Sequence, residues 1–260
     1  TTIHYQNRLN EVDPATTSIA SLRTLASGPQ DRVETQQFDD QQRLLKSISA
    51  EGLITQYEYD KQGNLVRSTQ SDQNDAANVR HERTRYDEFN RVTGELNRAG
   101  SALYRSDMTA QEIASLYTQY GTQYQYNDDN LRIKTVDING HTSYHYFDTQ
   151  GRLSLDINNK GFVTAYNYNA FGEIISKTEY ASALNMTELV GGYLTQEISL
   201  AINALASSAD RTVLTGYDKL GQLSSIIDGE GYRTHNQYNA FGERINSIQD
   251  LELNALGEAI

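Results

Sequence analysis

Apolar residues rarely run together in this chain. They alternate with polar ones over short stretches, as at Thr55, Tyr57 and Tyr59 or at Leu153, Leu155 and Ile157. In an extended strand every second side chain points to the same face, so each set shares a face. Between the alternating stretches stand clusters with Asp or Asn at one end and Gly at the other. Asp and Asn start turns by bonding backbone N–H groups two residues on, and Gly completes them. Alternation punctuated in this way predicts short strands joined as β-hairpins.

The hairpins repeat. The aromatic that precedes Asp or Asn in each copy serves as an anchor, and the anchors are Phe38, Tyr59, Tyr86, Tyr126, Phe147, Tyr168, Tyr217 and Tyr238. They are followed by Asp39, Asp60, Asp87, Asn127, Asp148, Asn169, Asp218 and Asn239. Successive anchors lie 21, 27, 40, 21, 21, 49 and 21 residues apart, so the unit is 21 residues long and three intervals carry insertions. Four residues after the anchor stand Gln42, Gly63, Asn90, Asn130, Gly151, Gly172, Gly221 and Gly242, mostly residue types that tolerate positive φ. Fourteen residues after it, every interval of standard length has a second glycine: Gly52, Gly140, Gly161 and Gly231. Each unit is therefore two strands and two turns. One such hairpin buries too little apolar surface to stand alone, but stacked hairpins stabilise one another as neighbours. The expected fold is all-β: antiparallel hairpins stacked into one continuous sheet, curved or spiralling because strands twist.

The array occupies residues 32–250, preceded by a segment 1–31 and followed by a short end, 251–260. Residues 11–28 predict a helix with Asp13 as N-cap and Pro14 at its first position. The insertion near 71–79 is polar and reads as a surface loop. The one near 101–121 reads as a helix: Thr109 and Glu112 form a capping box, Ile113, Leu116, Tyr117 and Tyr120 share a face, and Gly121 is the stop. In the third, near 181–212, Val190, Leu194, Ile198, Ile202 and Leu205 fall at helical spacing, with Gly191-Gly192 as a point where the helix breaks in two. These helices are expected to cover the sheet. At the usually apolar position six after the anchor stand Arg132 and Arg244, each followed by Ile, which predicts a one-residue bulge in those two strands.

Composition fits a thin sheet better than a deep core: there are 18 Tyr, 6 Phe, no Trp and no Cys. The absence of Cys removes any disulfide framework or thiolate metal site. A net charge of −12 opposes nucleic-acid binding and docking on anionic membranes. No stretch approaches the roughly 20 apolar residues of a membrane span. The chain opens Thr1-Thr2-Ile3-His4-Tyr5 and reads as an excerpt of a longer polypeptide with any targeting signal elsewhere.

The recurring acids do not read as catalysts. Hydrolysis by paired carboxylates needs two acids converging on one bond, whereas here Asn replaces Asp in three of eight copies. Asp72, Asn74, Asp75 and Asn78 are the one dense cluster of oxygen ligands, and a polar surface loop accounts for them better than a calcium site does. His141 and His145 are four apart, but on a strand that spacing is about 13 Å, too far for one metal. The reading is that the chain has no catalytic, metal or cofactor residues.

Tyr57-Glu58-Tyr59-Asp60-Lys61-Gln62-Gly63-Asn64-Leu65 resembles the YD-repeat consensus of the Rhs family, as do Tyr166-Asn167-Tyr168-Asn169-Ala170-Phe171-Gly172 and Tyr217-Asp218-Lys219-Leu220-Gly221-Gln222-Leu223. The likeness extends over about residues 32–250. The family includes bacterial polymorphic toxins, the B and C components of insecticidal toxin complexes, and teneurins. The resemblance implies a spiralling β-sheet shell around a hollow interior that encloses a C-terminal toxin domain, in a secreted or cell-surface bacterial protein. Its partners would be the remaining repeats of the same polypeptide and the enclosed toxin. The Asp-Pro-x-Gly core by which toxin members release their cargo has no counterpart: Asp13-Pro14-Ala15-Thr16 lacks the Gly and stands at the wrong end. A different reading is an extracellular adhesion module that binds carbohydrate or cell surfaces through rows of exposed Tyr, among them Tyr57, Tyr124 and Tyr166.

Overall fold

The computed structural model describes residues 2–4, 20 and 32–250, apart from 74, 76 and 77. The helix expected over 11–28, apart from residue 20, and the end at 251–260 lie outside the described residues. The chain divides into two compact units, Thr1–Gln123 and Tyr124–Ile260.

In the first unit the strands are β1 (Thr2–His4), β2 (Arg32–Phe38), β3 (Leu44–Ile48), β4 (Leu53–Tyr59), β5 (Leu65–Asp72), β6 (Arg80–Tyr86), β7 (Val92–Leu96) and β8 (Gly121–Tyr126), the last running on into the second unit. From β2 onward each pairs antiparallel with the next, as far as Gly121–Gln123 of β8, and β1 pairs with β2. Two helices, α1 (Arg98–Leu103) and α2 (Ala110–Tyr120), leave the sheet between β7 and β8. Thr109 caps α2, and both bonds of the capping box with Glu112 are present. Leu116 and Tyr117 turn inward against Leu96, with Tyr104, Met108, Ile113 and Tyr120 around them. Gly121 ends the helix as expected, in extended rather than left-handed backbone. Its φ is −124°, extended backbone that any residue adopts, and it is already the first residue of β8. Its lack of a side chain is needed for space, since a Cβ there would lie 2.8 Å from the Tyr117 carbonyl oxygen.

The second unit holds β9 (Arg132–Val136), β10 (Thr142–Phe147), β11 (Leu153–Ile157), β12 (Phe162–Tyr168), β13 (Ile174–Ala183), β14 (Gly192–Tyr193), β15 (Arg211–Tyr217), β16 (Leu223–Ile227), β17 (Arg233–Tyr238) and β18 (Arg244–Asp250). Successive strands pair antiparallel, except that β13 pairs directly with β15 while β14 lies parallel to β10. Tyr144, Tyr146, Leu155, Ile157 and Val163 form one apolar face, and Leu189 and Ile202 of the insertion complete the core over it.

That insertion corrects one expectation. Only α3 (Gln196–Asn203) is helical, capped by Thr195. Val190 is largely exposed, Gly191 and Gly192 have φ of +75° and +119°, and Gly192–Tyr193 form the parallel strand. The apolar spacing through Val190 and Leu194 reflects a strand and a turn whose partner, β10, is remote in sequence. The first insertion is corrected at its edge: Ser71 and Asp72 still belong to β5, and the loop begins after them.

The bulge was expected where Arg132 and Arg244 stand. It occurs at seven corners, where the register skips Leu45, Val66, Thr93, Ser154, Ile175, Ser224 and Ile245. Six of these corners have an apolar residue at the position where Tyr238 pairs with Arg244, so arginine is not the cause. The anchor turns share one pair of bonds: Asp39 N–H bonds the Arg43 carbonyl and Gln42 N–H the Asp39 carbonyl, and the pair recurs at each anchor. The second turns close with the same pair and keep an unbroken register, so the extra residue belongs to the strand that leaves the anchor turn and not to the turn.

Candidate functional site: the repeat corners

Every corner is built around the Asp or Asn that follows the anchor. Its Oδ1 accepts the backbone N–H groups two and four residues on. At Asp39 these come from Gln41 and Arg43, both at 2.9 Å, and at Asn169 from Phe171 and Glu173, both at 3.0 Å. Asp60, Asp87, Asn127, Asp148, Asp218 and Asn239 repeat the arrangement. The second turn of each standard unit uses the same device with Ser49, Asp137, Asn158 or Asp228. Each turn is closed by a residue with positive φ. Gly63, Gly151, Gly172, Gly221 and Gly242 serve the anchor turns, and Gly52, Gly140, Gly161 and Gly231 the others. Gln42, Asn90 and Asn130 adopt the same conformation at φ of 61–62°. Gln carries a Cβ penalty there with no short polar side chain to offset it.

The second side-chain atom of the corner residue selects what stands four positions beyond it, a signal that sequence reading missed. The remaining carboxylate oxygen of Asp39, Asp87 and Asp148 accepts from Nε of Arg43, Arg91 and Arg152, at 2.7, 2.8 and 2.6 Å. Asp60 takes Asn64 Nδ2 at 2.9 Å and Asp137 takes His141 Nδ1 at 3.1 Å. Where the corner is Asn, the polarity reverses. Asn169 and Asn239 donate Nδ2 to Glu173 and Glu243, at 2.6 and 2.7 Å. At these seven corners acid is followed by donor and amide by acid, whereas Asn127, Asn158 and Asp228 have the apolar or aromatic Leu131, Phe162 and Tyr232 four positions on.

The anchors join one hairpin to the next. Tyr59 donates its hydroxyl to the Leu44 carbonyl at 3.0 Å, and Tyr86 to that of Leu65 at 3.1 Å. In the second unit Tyr168 donates to Leu153, Tyr217 to Ile174 and Tyr238 to Leu223, at 2.8, 3.1 and 3.0 Å. The acceptor is in every case the residue six after the preceding anchor, beside that hairpin's bulge. Intervals of 21, 27 and 49 residues give the same bond. Phe38 and Phe147 have no hydroxyl to give. Arg43 stacks on the Tyr59 ring at 4.8 Å and Arg152 on Tyr168 at 4.6 Å, so the corner arginine reaches the following anchor as well. Arg152 also bonds the Asn169 carbonyl, and Asn64 bonds Asn90.

These contacts set the electrostatics. The Arg43 backbone N–H holds the Asp39 carboxyl below its ordinary value, and the Asn64 side chain does the same for Asp60. Loss of water pushes Asp87, Asp137 and Asp148 up, but hydrogen bonds from Arg91, His141 and Arg152 outweigh it and all three end up lowered. A carboxylate occupied by N–H donors and held ionised is a poor proton donor. Loss of water raises the anchors Tyr86 and Tyr168.

Other singled-out residues stand apart. His141 faces Asp137 and His145 faces Asp156, at 3.1 and 3.3 Å, so the two histidines have separate partners. Tyr57, Tyr124 and Tyr166 are half-buried in the sheet. The most exposed aromatics are at turn tips: Phe171 and Phe241 are 90% and 89% exposed, and Phe89 is exposed in the first unit, while Phe38, Phe162 and Tyr193 are partly exposed within strands. No described helix is long and apolar enough to cross a membrane.

Comparison with known proteins gives a family match over one segment: residues 38–75 match the RHS Repeat. No curated protein matches. Among solved structures, TcdB2-TccC3-TEV is 15% identical with a TM-score of 0.38, over 88% of this chain and 15% of that one. A Photorhabdus luminescens Tc holotoxin pore is 14% identical with a TM-score of 0.35, over 84% of this chain and 14% of that one. The chain thus spans about a seventh of the length of these structures.

Proposed function

We propose that this chain, which carries an RHS Repeat, is a non-enzymatic wall segment of a larger secreted bacterial protein, and that the wall encloses a C-terminal toxin domain. The observation that carries the structural part is the recurring bond from the hydroxyls of Tyr59, Tyr86, Tyr168, Tyr217 and Tyr238 to the bulge carbonyl of the hairpin before each. It ties hairpins edge to edge across intervals of 21, 27 and 49 residues, which is what an extended wall requires and an isolated pocket does not. The corner acids support a non-enzymatic role, because their oxygens are committed to turn N–H groups. The cargo rests on the RHS/YD resemblance. The partners are then the remaining repeats of the polypeptide and the enclosed domain.

The test is limited proteolysis of the full-length protein that contains this segment. The region C-terminal to the repeats should resist cleavage in the intact protein and be cut rapidly when produced alone. Equal cleavage rates in the two forms would overturn the enclosure.

A further inference from the structure

In a chain of net charge −12, one place gathers positive charge. Strands β5 and β6 and the start of α1 bring together Arg67, Arg80, His81, Arg83 and Arg98. Arg67 lies directly opposite Arg83 across the two strands, and Thr69 opposite His81. Opposed residues share a face with Cβ atoms about 5 Å apart, where like charges repel. Arg67 gives one amino group to Glu58 at 2.6 Å and places the other 3.3 Å from Nδ1 of His81. Its Nε is buried without a partner, and so is that of Arg83, whose guanidinium stacks on Tyr104 at 3.8 Å. Among the described residues, none of Arg80, Arg83 and Arg98 is in an ion pair.

The His81 tautomer follows from its neighbours. A guanidinium can only donate, so Nδ1 of His81 accepts and the ring proton is on Nε2. Loss of water and the Arg67 and Arg83 charges favour this neutral form. Beside the ring, pairing between β6 and β7 stops at Arg83–Leu96, because the chain turns away into α1. A cleft of about 430 Å³ opens there, lined by Arg80, His81, Glu82, Leu96, Asn97 and Arg98. Arg98 bonds Asn78 with one amino group at 2.9 Å and keeps its other donors. The one acid in the lining, Glu82, accepts from Ser68 at 3.1 Å.

We propose that this cleft binds a single oxyanion group, a phosphate or a carboxylate, with Arg98 as its charged donor, Nε2–H of His81 as a neutral one, and Arg67 and Arg83 supplying the field behind them. An anion here relieves the repulsion between the opposed arginines and meets donors that the protein leaves unused. Charge-assisted bonds of this kind are the strong ones.

The experiment is NMR of the full chain, following the His81 ring and Arg98 Nε signals. Sodium phosphate and sodium acetate are titrated separately against sodium chloride at matched ionic strength. Saturable shifts with phosphate alone support the site and assign it to phosphate groups; saturation by acetate as well extends it to carboxylates. Arg98→Gln, at an exposed position, should weaken binding about tenfold. Arg105→Gln, which removes the exposed pair with Asp107, should leave it unchanged. Shifts that chloride reproduces, that never saturate, or that persist undiminished in Arg98→Gln would overturn the proposal.

Discussion

Removing one hydroxyl should show how strongly adjacent hairpins are held. In Tyr168→Phe the ring stays and the 2.8 Å bond to the Leu153 carbonyl is lost. A net intramolecular hydrogen bond contributes about 0.5–1.5 kcal/mol, and leaving a buried acceptor unsatisfied costs about 1–3 kcal/mol. Leu153 stands beside the bulge at Ser154, where the register toward β10 is interrupted. Its carbonyl is therefore half-shielded, and the expected loss lies where these ranges overlap, about 1–1.5 kcal/mol. Tyr86→Phe is the internal control. Its bond to Leu65 is longer, at 3.1 Å, and exposed, so water replaces it and the loss should be at most about 0.5 kcal/mol. Urea denaturation followed by far-UV circular dichroism measures both, because the denaturation slope reveals any change in the surface exposed. If the two variants lose equal stability, or Tyr86→Phe loses more, the hydroxyl does not hold the hairpins together in the way argued here.

Other outcomes follow from the corners. Asp148→Asn should destabilise by about 1 kcal/mol through loss of the Arg152 pair, and adding Arg152→Glu should cost less than the two single changes summed, because Asn169 and Glu173 already use that combination, although the Arg152 contacts with Tyr168 and the Asn169 carbonyl are lost. A double-mutant cycle with no coupling would refute the polarity rule. Gly161→Ala should cost far more than Gly140→Ala: both have positive φ, but only at Gly161 would a Cβ collide with a backbone carbonyl, that of Leu184, so thermal melting should separate them. The folded chain holds Asp39, Asp60, Asp87, Asp137 and Asp148 below the ordinary value of 3.8, so their contribution is complete above that pH and is lost as pH falls through the depressed values. Acid titration of stability should accordingly show a decline below pH 3.8 that is smaller in Asp148→Asn. Replacing both Phe171 and Phe241 by Ser should change stability by less than about 0.5 kcal/mol, since these rings are almost wholly exposed.

What the sequence made legible was what depends on the local backbone. Positive φ is tolerated by few residues, so the Gly and Asn columns marked the turns, and Thr109 with Glu112 marked a helix start. Contacts that depend on spatial neighbours were not legible. The acceptor of each anchor hydroxyl lies 15, 21 or 43 residues back, depending on the insertion between, so no fixed spacing announces it. The Val190–Leu194 stretch was misread because β14 exists only through its pairing with β10. The column four residues beyond each corner was readable in principle: Arg43, Arg91 and Arg152 follow Asp, and Glu173 and Glu243 follow Asn. It is seen only when two columns are compared rather than one.

All three insertions replace the second turn of a unit and none interrupts an anchor corner. Between β13 and β15 the connection fills 184–210, against 158–161 in a standard unit, yet the two flanking strands still pair. Lengthening a flexible connection by that factor costs under about 2 kcal/mol of closure entropy, and burying a single side chain such as Ile202 offsets about as much. One rim of each sheet thus works as an open port for added sequence. New loops and helices can be grafted there during evolution, or by design, while the opposite rim keeps count of the strands.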